Sequence, residues 1–572
     1  MEVPLTTWKQ LALRCFFVAA IALYGLSSLW VILGWSPHVP YADQWRQFVT
    51  FLTMPFPDNI LAPDNGHRQT LSNLIAWIEL RVFPGGLWLQ LILGVFYAAA
   101  AAMLIGRIAW RDGAISAHAR ASGAFLATFA IFWLGNARVL AHTGELMHVY
   151  PTIFFLVVAL YCSRRAAEDG GVGRWLVGAL LASFAATISF GYGMASFIGV
   201  LTVLLLARAS RASIAVTVAG FGAALLYYLG SRGADGVAGS MHIEPLANAL
   251  VAARWLGSPV NYVFPYLWNA DSAYLLPGPL AGIALHLSAA LHPMVGDIAY
   301  TVWPQALVGG SGILLVLVML VQTLRASEPP TATRLLGLGL AGFGLAAAGI
   351  IALSRLEYFI SYPGQIYADR YLPWPCLFWL GAALGVLGRR DGSVRWPQVT
   401  VSVFAACIAV GALPAHRGGY IYAKLVYGHV NNTATAAVTG VIQRDTDFGE
   451  TVQQEMLAAI PVLQAAGVAP FSWPESRALG HAMPAGALRL DHARVQPGSA
   501  IDSARAAGYA VTVNIEGGAP VPSRVGLVDG TGSVVGVATL DPAAGSATLT
   551  GYALGMPNPD VALAAWRLPA VN

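Results

Sequence analysis

Apolar runs recur along most of this chain, at 11–34, 87–106, 121–138, 149–163, 174–190, 193–207, 213–229, 302–324, 335–353, 372–388 and 397–413. A helix needs about 20 apolar residues to cross the hydrocarbon of a bilayer. In lipid only helices and closed barrels satisfy their own backbone groups. The runs therefore predict a mainly α, polytopic bundle of about eleven transmembrane helices. Composition agrees. Hydrophobic residues make up 57% of the 572 and charged residues 10%, with a mean hydropathy of +0.62. Soluble domains carry about 25% charge. The first run is too long for a signal-peptide core and no small-x-small site closes it, so it reads as a retained helix.

Orientation follows from the connections. With the N-terminus inside, alternate loops carry Arg107, Arg111 and Arg120; Arg164, Arg165 and Arg174; Arg208 and Arg211; Arg325 and Arg334; Arg389, Arg390 and Arg395. All five are short and basic, as cytoplasmic loops are. The opposite loops, 35–86, 139–148, 230–301 and 354–371, are mostly longer and hold most of the acids, histidines and exposed aromatics. Amphipathic stretches at 43–54, 69–83 and 279–292 suit helices lying flat in the interface. An odd number of spans puts the C-terminus outside.

From about residue 414 the chain stops looking like a membrane segment. Residues 1–413 read as the membrane domain and 414–572 as an extracytoplasmic domain, helical and then β-rich. Thr451 to Ala466 is a helical patch. Ala510 to Ile515, Val525 to Val528, Ser533 to Val537, Ala547 to Thr550 and Val561 to Trp566 have strand character. Asp529-Gly530 between two β-branched runs signals a hairpin. A small β-sandwich is the expectation.

The net charge of +4 gives no reason to expect nucleic acid. Cys15, Cys162, Cys376 and Cys407 have no paired spacing, which argues against zinc and against a disulfide framework. Only Lys9 and Lys424 are lysine among 32 basic residues. That usage, with abundant Ala and Gly, is associated with GC-rich bacterial genomes.

The outer loops carry the chemistry. Tyr41 to Leu71 presents Asp43, Arg46, Asp58, Asp64, His67 and Arg68 between aromatic residues. Glu145 and His148 lie in a second outer stretch, Arg355 to Tyr358 and Asp369-Arg370-Tyr371 in a third, and Trp255, Tyr262 and Trp268 in a fourth. Arginine matches phosphate oxygens with a bidentate fork. Trp and Tyr offer flat faces to sugar rings. A carboxylate set on a hydroxyl acts as a general base. The candidates are thus Asp43, His67 and Glu145 for catalysis. For substrate and phosphate they are Arg68, His148, Arg370, Tyr371, Trp255, Tyr262 and Trp268. Asp43, Glu145 and His148 are also candidate ligands for a divalent metal, without a spacing that fixes them; no other cofactor is expected. Each residue has a plainer reading: Asp43 as a helix cap, Asp64 before Asn65-Gly66 as a turn residue, Glu145 as a partner of Arg138, the arginines as snorkelling cations and the aromatics as an interfacial belt.

A cytoplasmic N-terminus, one helix, an outer loop opening Ala42-Asp43-Gln44-Trp45 and an interfacial helix resemble the GT-C superfamily of integral-membrane glycosyltransferases. The likeness covers about residues 1–413. It implies a polyprenyl-phosphate-linked sugar as donor and a glycan, lipid or protein of the cell envelope as acceptor. It also implies Asp43 as base, Arg370 or Arg68 on the lipid phosphate, and inversion at the sugar. The setting is the bacterial inner membrane, with the site facing the periplasm. Gln44 stands where a second acid would extend the pattern, and no Trp-Trp-Asp signature occurs, so the acceptor stays open. An O-antigen-type polymerase or ligase is the nearest alternative. A flippase or transporter of a lipid-linked precursor is another, disfavoured because the ionisable groups gather at one interface instead of mid-span.

Overall fold

The computed structural model describes residues 5–230, 243–296, 302–390, 396–443, 450–482, 493–500, 507–514, 522–545, 547–555 and 564–566. Arg395, Ile515 and residues 561–563, named above, lie outside the described residues.

Every apolar run coincides with a helix, but the helices differ in length. Seven are long and apolar enough to cross a membrane: Leu11–Trp35, Trp88–Arg111, Ala117–Ala141, Thr143–Asp169, Arg211–Tyr228, Trp303–Arg325 and Ala332–Ser354. Arg174–Ser189, Gly191–Leu206 and Pro373–Leu387 are shorter. Trp396–Gly411 and Leu413–Thr439 form one bent pair, 45° apart. Against the expected count of about eleven spans, several of them short, seven helices among the described residues pass this length, or eight counting the bent pair. The corresponding apolar runs, 174–190, 193–207 and 372–388, are themselves shorter than the ~20 residues a crossing needs.

Helix packing is close where side chains are small. Gly337 and Gly381 bring Ala332–Ser354 and Pro373–Leu387 together: a Cβ at Gly337 would lie 2.5 Å from the Gly385 nitrogen, and one at Gly381 2.5 Å from the Ala341 nitrogen. Small residues at such contacts let backbones approach without a clash. The basic connections meet at one end. Arg208 reaches the Leu324 carbonyl at 3.4 Å, Arg390 reaches Pro329 at 3.1 Å, and Asp112 accepts from the Thr333 N–H at 2.8 Å.

One expectation for the loops read as outer is corrected. The 43–54 stretch forms a helix, Gln44–Thr53, but its apolar face is covered by protein. Trp45, Phe48 and Phe51, at helical spacing, are buried against Met456, Ala459, Ile460 and Leu463 of helix Glu450–Ala466. An apolar stripe needs an apolar partner, and here the tail supplies one in place of lipid. In the 230–301 stretch the helix expected near 279–292 is present as Gly278–Val295, and a further helix, Pro245–Gly257, packs on Trp303–Arg325.

The tail holds one sheet among the described residues, not a sandwich. Its strands are β1 (Val441–Ile442), β2 (Ala493–Ala500), β3 (Gly508–Asn514), β4 (Arg524–Val528), β5 (Val534–Leu540), β6 (Thr548–Leu554) and β7 (Ala564–Trp566). They run antiparallel in the order β1-β2-β3-β6-β5-β4-β7. Period two buries one face but does not say against what. Here Val537 meets Val430, Ala434 and Val438 of helix Leu413–Thr439, where a second sheet was expected. The Asp529-Gly530 hairpin is present with a longer loop. Asp529 accepts from the N–H groups of Thr531 and Ser533, and Gly532, at φ +84°, takes the left-handed position.

Candidate active site

The connections at the end away from the basic loops enclose a cavity of about 410 Å³. Its walls come from residues 42–69, 138–149, 190–192 and 355–374. A volume of this size suits a small-molecule site.

Asp43 stands at the lip. It holds the N-cap position of helix Gln44–Thr53 but makes no side-chain cap bond. The capping role is therefore not the one its carboxylate fills. Oδ2 accepts from Asn65 Nδ2 at 2.7 Å, Oδ1 lies 3.7 Å from Arg46, and the side chain is 53% exposed. The preceding Ala42 has φ +48°, a left-handed conformation costing an L-residue about 1–2 kcal/mol. Such local strain is frequent at functional sites.

A tight turn builds the facing wall. Asp64 and His67 exchange both backbone hydrogen bonds, at 2.9 and 2.8 Å. Asn65 and Gly66 between them have φ +47° and +75°. Two positive φ values are the requirement of a type I′ turn, which Asn-Gly meets best. The turn sends Asp64 towards Arg46 (2.7 Å) and Gln47 (2.7 Å). His67 lies against Phe190, with ring centroids 4.6 Å apart. Its Nδ1 is 3.3 Å from the Tyr228 hydroxyl, which itself donates to the Gly66 carbonyl at 3.1 Å. Burial, and then the positive charge of Arg355 and the neighbouring His148, push the His67 pKa down to about 4. The ring is neutral at physiological pH and can accept or relay a proton.

Glu145 also lines the cavity, but Arg138 holds it through Nε (3.2 Å) and a terminal nitrogen (3.1 Å). His142 Nδ1 lies 3.5 Å away. The Glu145 carboxylate is thus committed to a guanidinium. His148 stacks on Phe190 at 5.8 Å with 10° between planes. The candidate metal set of Asp43, Glu145 and His148 does not form: among the described residues no three His, Cys, Asp or Glu side chains are grouped to hold an ion. Each of the three is turned to a different neighbour.

Two arginines face the cavity without a carboxylate partner among the described residues. Arg370 donates to Gln365 Oε1 (3.0 Å) and the Tyr358 hydroxyl (3.4 Å), and its guanidinium sits 5.0 Å from the Tyr371 ring centroid. Arg355 lies 5.9 Å from the Tyr358 ring centroid. Cations held by neutral groups in a shared cavity keep their full charge for an incoming anion.

The structure therefore brings Asp43, His67, Glu145, His148, Arg370 and Tyr371 to one cavity. Arg68, Trp255, Tyr262 and Trp268 are not among its lining residues. Trp255 is fully buried and packs near Tyr192, with centroids 6.4 Å apart, so its faces are closed to a sugar. Tyr262 donates its hydroxyl to the Tyr367 carbonyl. The aromatic wall is made instead by Phe190, Tyr192, Tyr358 and Trp374, with Phe190 and Trp374 only 3° from parallel. Arg355 and Tyr358 lie in a polar stretch noted above but were not among the candidates, and Phe190, Tyr192 and Trp374 were not singled out at all. The available signal was position: Arg355 ends one apolar run, and Phe190-Gly191-Tyr192 interrupts another.

No family model matches the sequence, and no curated protein matches it.

Proposed function

We propose that the protein is a membrane glycosyltransferase of the GT-C kind. It moves a sugar from a polyprenyl-phosphate donor to an acceptor hydroxyl. One observation carries this reading: Arg355 and Arg370, without a carboxylate partner among the described residues, share a cavity with the accessible carboxylate of Asp43. Asp43 takes the proton of the acceptor hydroxyl as its oxygen attacks the anomeric carbon. The bond from that carbon to the phosphate oxygen breaks through an oxocarbenium-like state. Polyprenyl phosphate leaves with the electron pair, and Arg355 and Arg370 stabilise the developing charge. Neutral His67 orients the acceptor by hydrogen bonding. The half-buried rings of Phe190 and Tyr358 in the aromatic wall support the sugar ring.

The setting in this reading is a bacterial inner membrane, with the cavity and the tail on the periplasmic side. The arginine-rich connections at the opposite end support that orientation.

The test is turnover of a panel of radiolabelled polyprenyl-phosphate sugars by purified protein with cell-envelope acceptor, wild type beside Asp43→Asn. Transfer by the wild type and a loss of about 10²–10⁴-fold in the variant, with donor binding intact, is the expected result. A folded wild type that transfers from no donor removes the glycosyltransferase reading.

A further inference from the structure

We propose that a second anion site lies at the opposite end of the helices, where an arginine-lined pocket takes a phosphate group. We assign that group to the headgroup of an anionic phospholipid.

The pocket, of about 240 Å³, lies between the 326–334 and 388–390 connections. Arg334 is only 8% exposed and lines it. Its guanidinium donates to Thr323 Oγ1 at 2.8 Å, to the Gly385 carbonyl at 3.3 Å and to the Met319 carbonyl at 3.5 Å. All three acceptors are neutral. Gly388 packs on the Arg334 backbone, so near that a Cβ there would lie 2.4 Å from the Arg334 backbone nitrogen. Arg389 and Arg390 complete the basic lining, against one carboxylate, Glu328, which pairs with Arg390 at 3.3 Å. Among the described residues no acid pairs with Arg334 or Arg389. A buried cation without a counter-charge is costly, and an anion in the pocket removes that cost.

The site is not the helix N-terminus itself. Thr331 Oγ1 accepts from the Arg334 N–H at 3.2 Å and Asp112 accepts from the Thr333 N–H at 2.8 Å. The guanidinium groups supply the recognition.

Placement favours a lipid source. Helix Ala332–Ser354 carries Arg334 in its first turn and Arg355 just past its end. Its 23 residues span about 35 Å, close to the thickness of a hydrocarbon core. Arg334 therefore sits at headgroup depth, where basic pockets between helices hold anionic lipids. Beside it, Val321 and Leu324 of helix Trp303–Arg325 are 45% and 51% exposed, a surface along which an acyl chain can lie.

The test uses the full-length protein in nanodiscs of phosphatidylcholine, with or without phosphatidylglycerol, read by thermal unfolding and by native mass spectrometry of retained lipid. Phosphatidylglycerol is expected to be retained and to raise the unfolding temperature. Arg389→Gln, at a half-exposed position, is expected to weaken retention about fivefold, and Arg334→Gln more. If Arg334→Gln does not fold, Arg389→Gln decides. A third arm adds inorganic phosphate to the phosphatidylcholine discs. Equal stabilisation by phosphate, lost in Arg389→Gln and without retained lipid, keeps the anion site and assigns it to the free ion. No stabilisation by either probe, or retention unchanged in the variants, overturns the proposal.

Discussion

Arg46 and Glu455 form an ion pair although 409 positions separate them in the chain. The same guanidinium holds Asp64 at 2.7 Å and stands 3.7 Å from Asp43. One cation thus ties the tail to the turn that carries His67 and to the carboxylate at the cavity lip. Burial raises the Glu455 pKa, and Arg46 opposes that rise by favouring the charged form.

Removing Arg46 leaves three carboxylates facing one another, whereas removing Glu455 leaves the cation with two partners. Arg46→Ala is therefore expected to destabilise more than Glu455→Gln. The Glu455 change costs on the order of 1 kcal/mol, as expected of a partly exposed pair. Thermal unfolding of both single variants and the double variant gives the coupling. Equal losses from the two single changes would contradict this arrangement.

Trp45 is fully buried between helices Thr70–Val82 and Glu450–Ala466. Trp45→Ala is expected to cost about 3–5 kcal/mol and to expose the 450–466 segment to limited proteolysis. Unaltered resistance of that segment would show that the contact does not hold the tail.

Arg355→Gln and Arg370→Gln each remove one charge from the proposed phosphate wall. Each is expected to lower kcat/KM for a polyprenyl-phosphate sugar about 10–100-fold with little change in unfolding temperature. A variant with full turnover removes that arginine from the site.

Gly191 packs against His67. A Cβ at Gly191 would lie 2.6 Å from His67 Nδ1 and 2.6 Å from the Tyr228 hydroxyl. Gly191→Ala changes no charge, yet it must displace one of those side chains. Turnover is expected to fall by up to about 100-fold while the protein stays folded. Unchanged turnover would show that the placement of neither His67 nor Tyr228 matters to the reaction at that position.

His67 also sets a pH dependence. Its pKa falls from 6.5 to about 4 on folding. Above pH 6.5 the ring is neutral in both states. Between 6.5 and 4 the unfolded chain binds a proton that the folded one refuses, so stability drops as pH falls through that window. The loss is complete below about pH 4 and amounts to at most about 3 kcal/mol. Chemical denaturation at stepped pH, wild type beside His67→Gln, should show a shallower slope in the variant. Parallel slopes would place the ring in a more solvated setting.

Much of this arrangement was legible in the residues. An apolar run of 20 residues has few ways to be satisfied, so the helices of the membrane domain followed directly. Asn65-Gly66 marked a turn, and Asp529-Gly530 marked a hairpin. What stayed hidden concerned partners. The stripe of Trp45, Phe48 and Phe51 reads the same whether lipid or Met456, Ile460 and Leu463 covers it. Alternation in β5 demanded a cover without naming helix Leu413–Thr439. Trp255 and Phe190 differ little in their surroundings in sequence, yet one is sealed in the core and the other lines the cavity. Arg355 stood in a noted polar stretch, but that no carboxylate among the described residues pairs with it is visible only in three dimensions.

The tie between Arg46 and Glu455 also sets an order on biosynthesis. The segment carrying Asp43 leaves the ribosome early, and the helix that covers its apolar face follows some four hundred residues later. At about 5–20 residues per second, Trp45, Phe48 and Phe51 wait on the order of tens of seconds for their cover. A chain that stalls before residue 450 holds every residue lining the cavity and lacks the helix that seats the first of them.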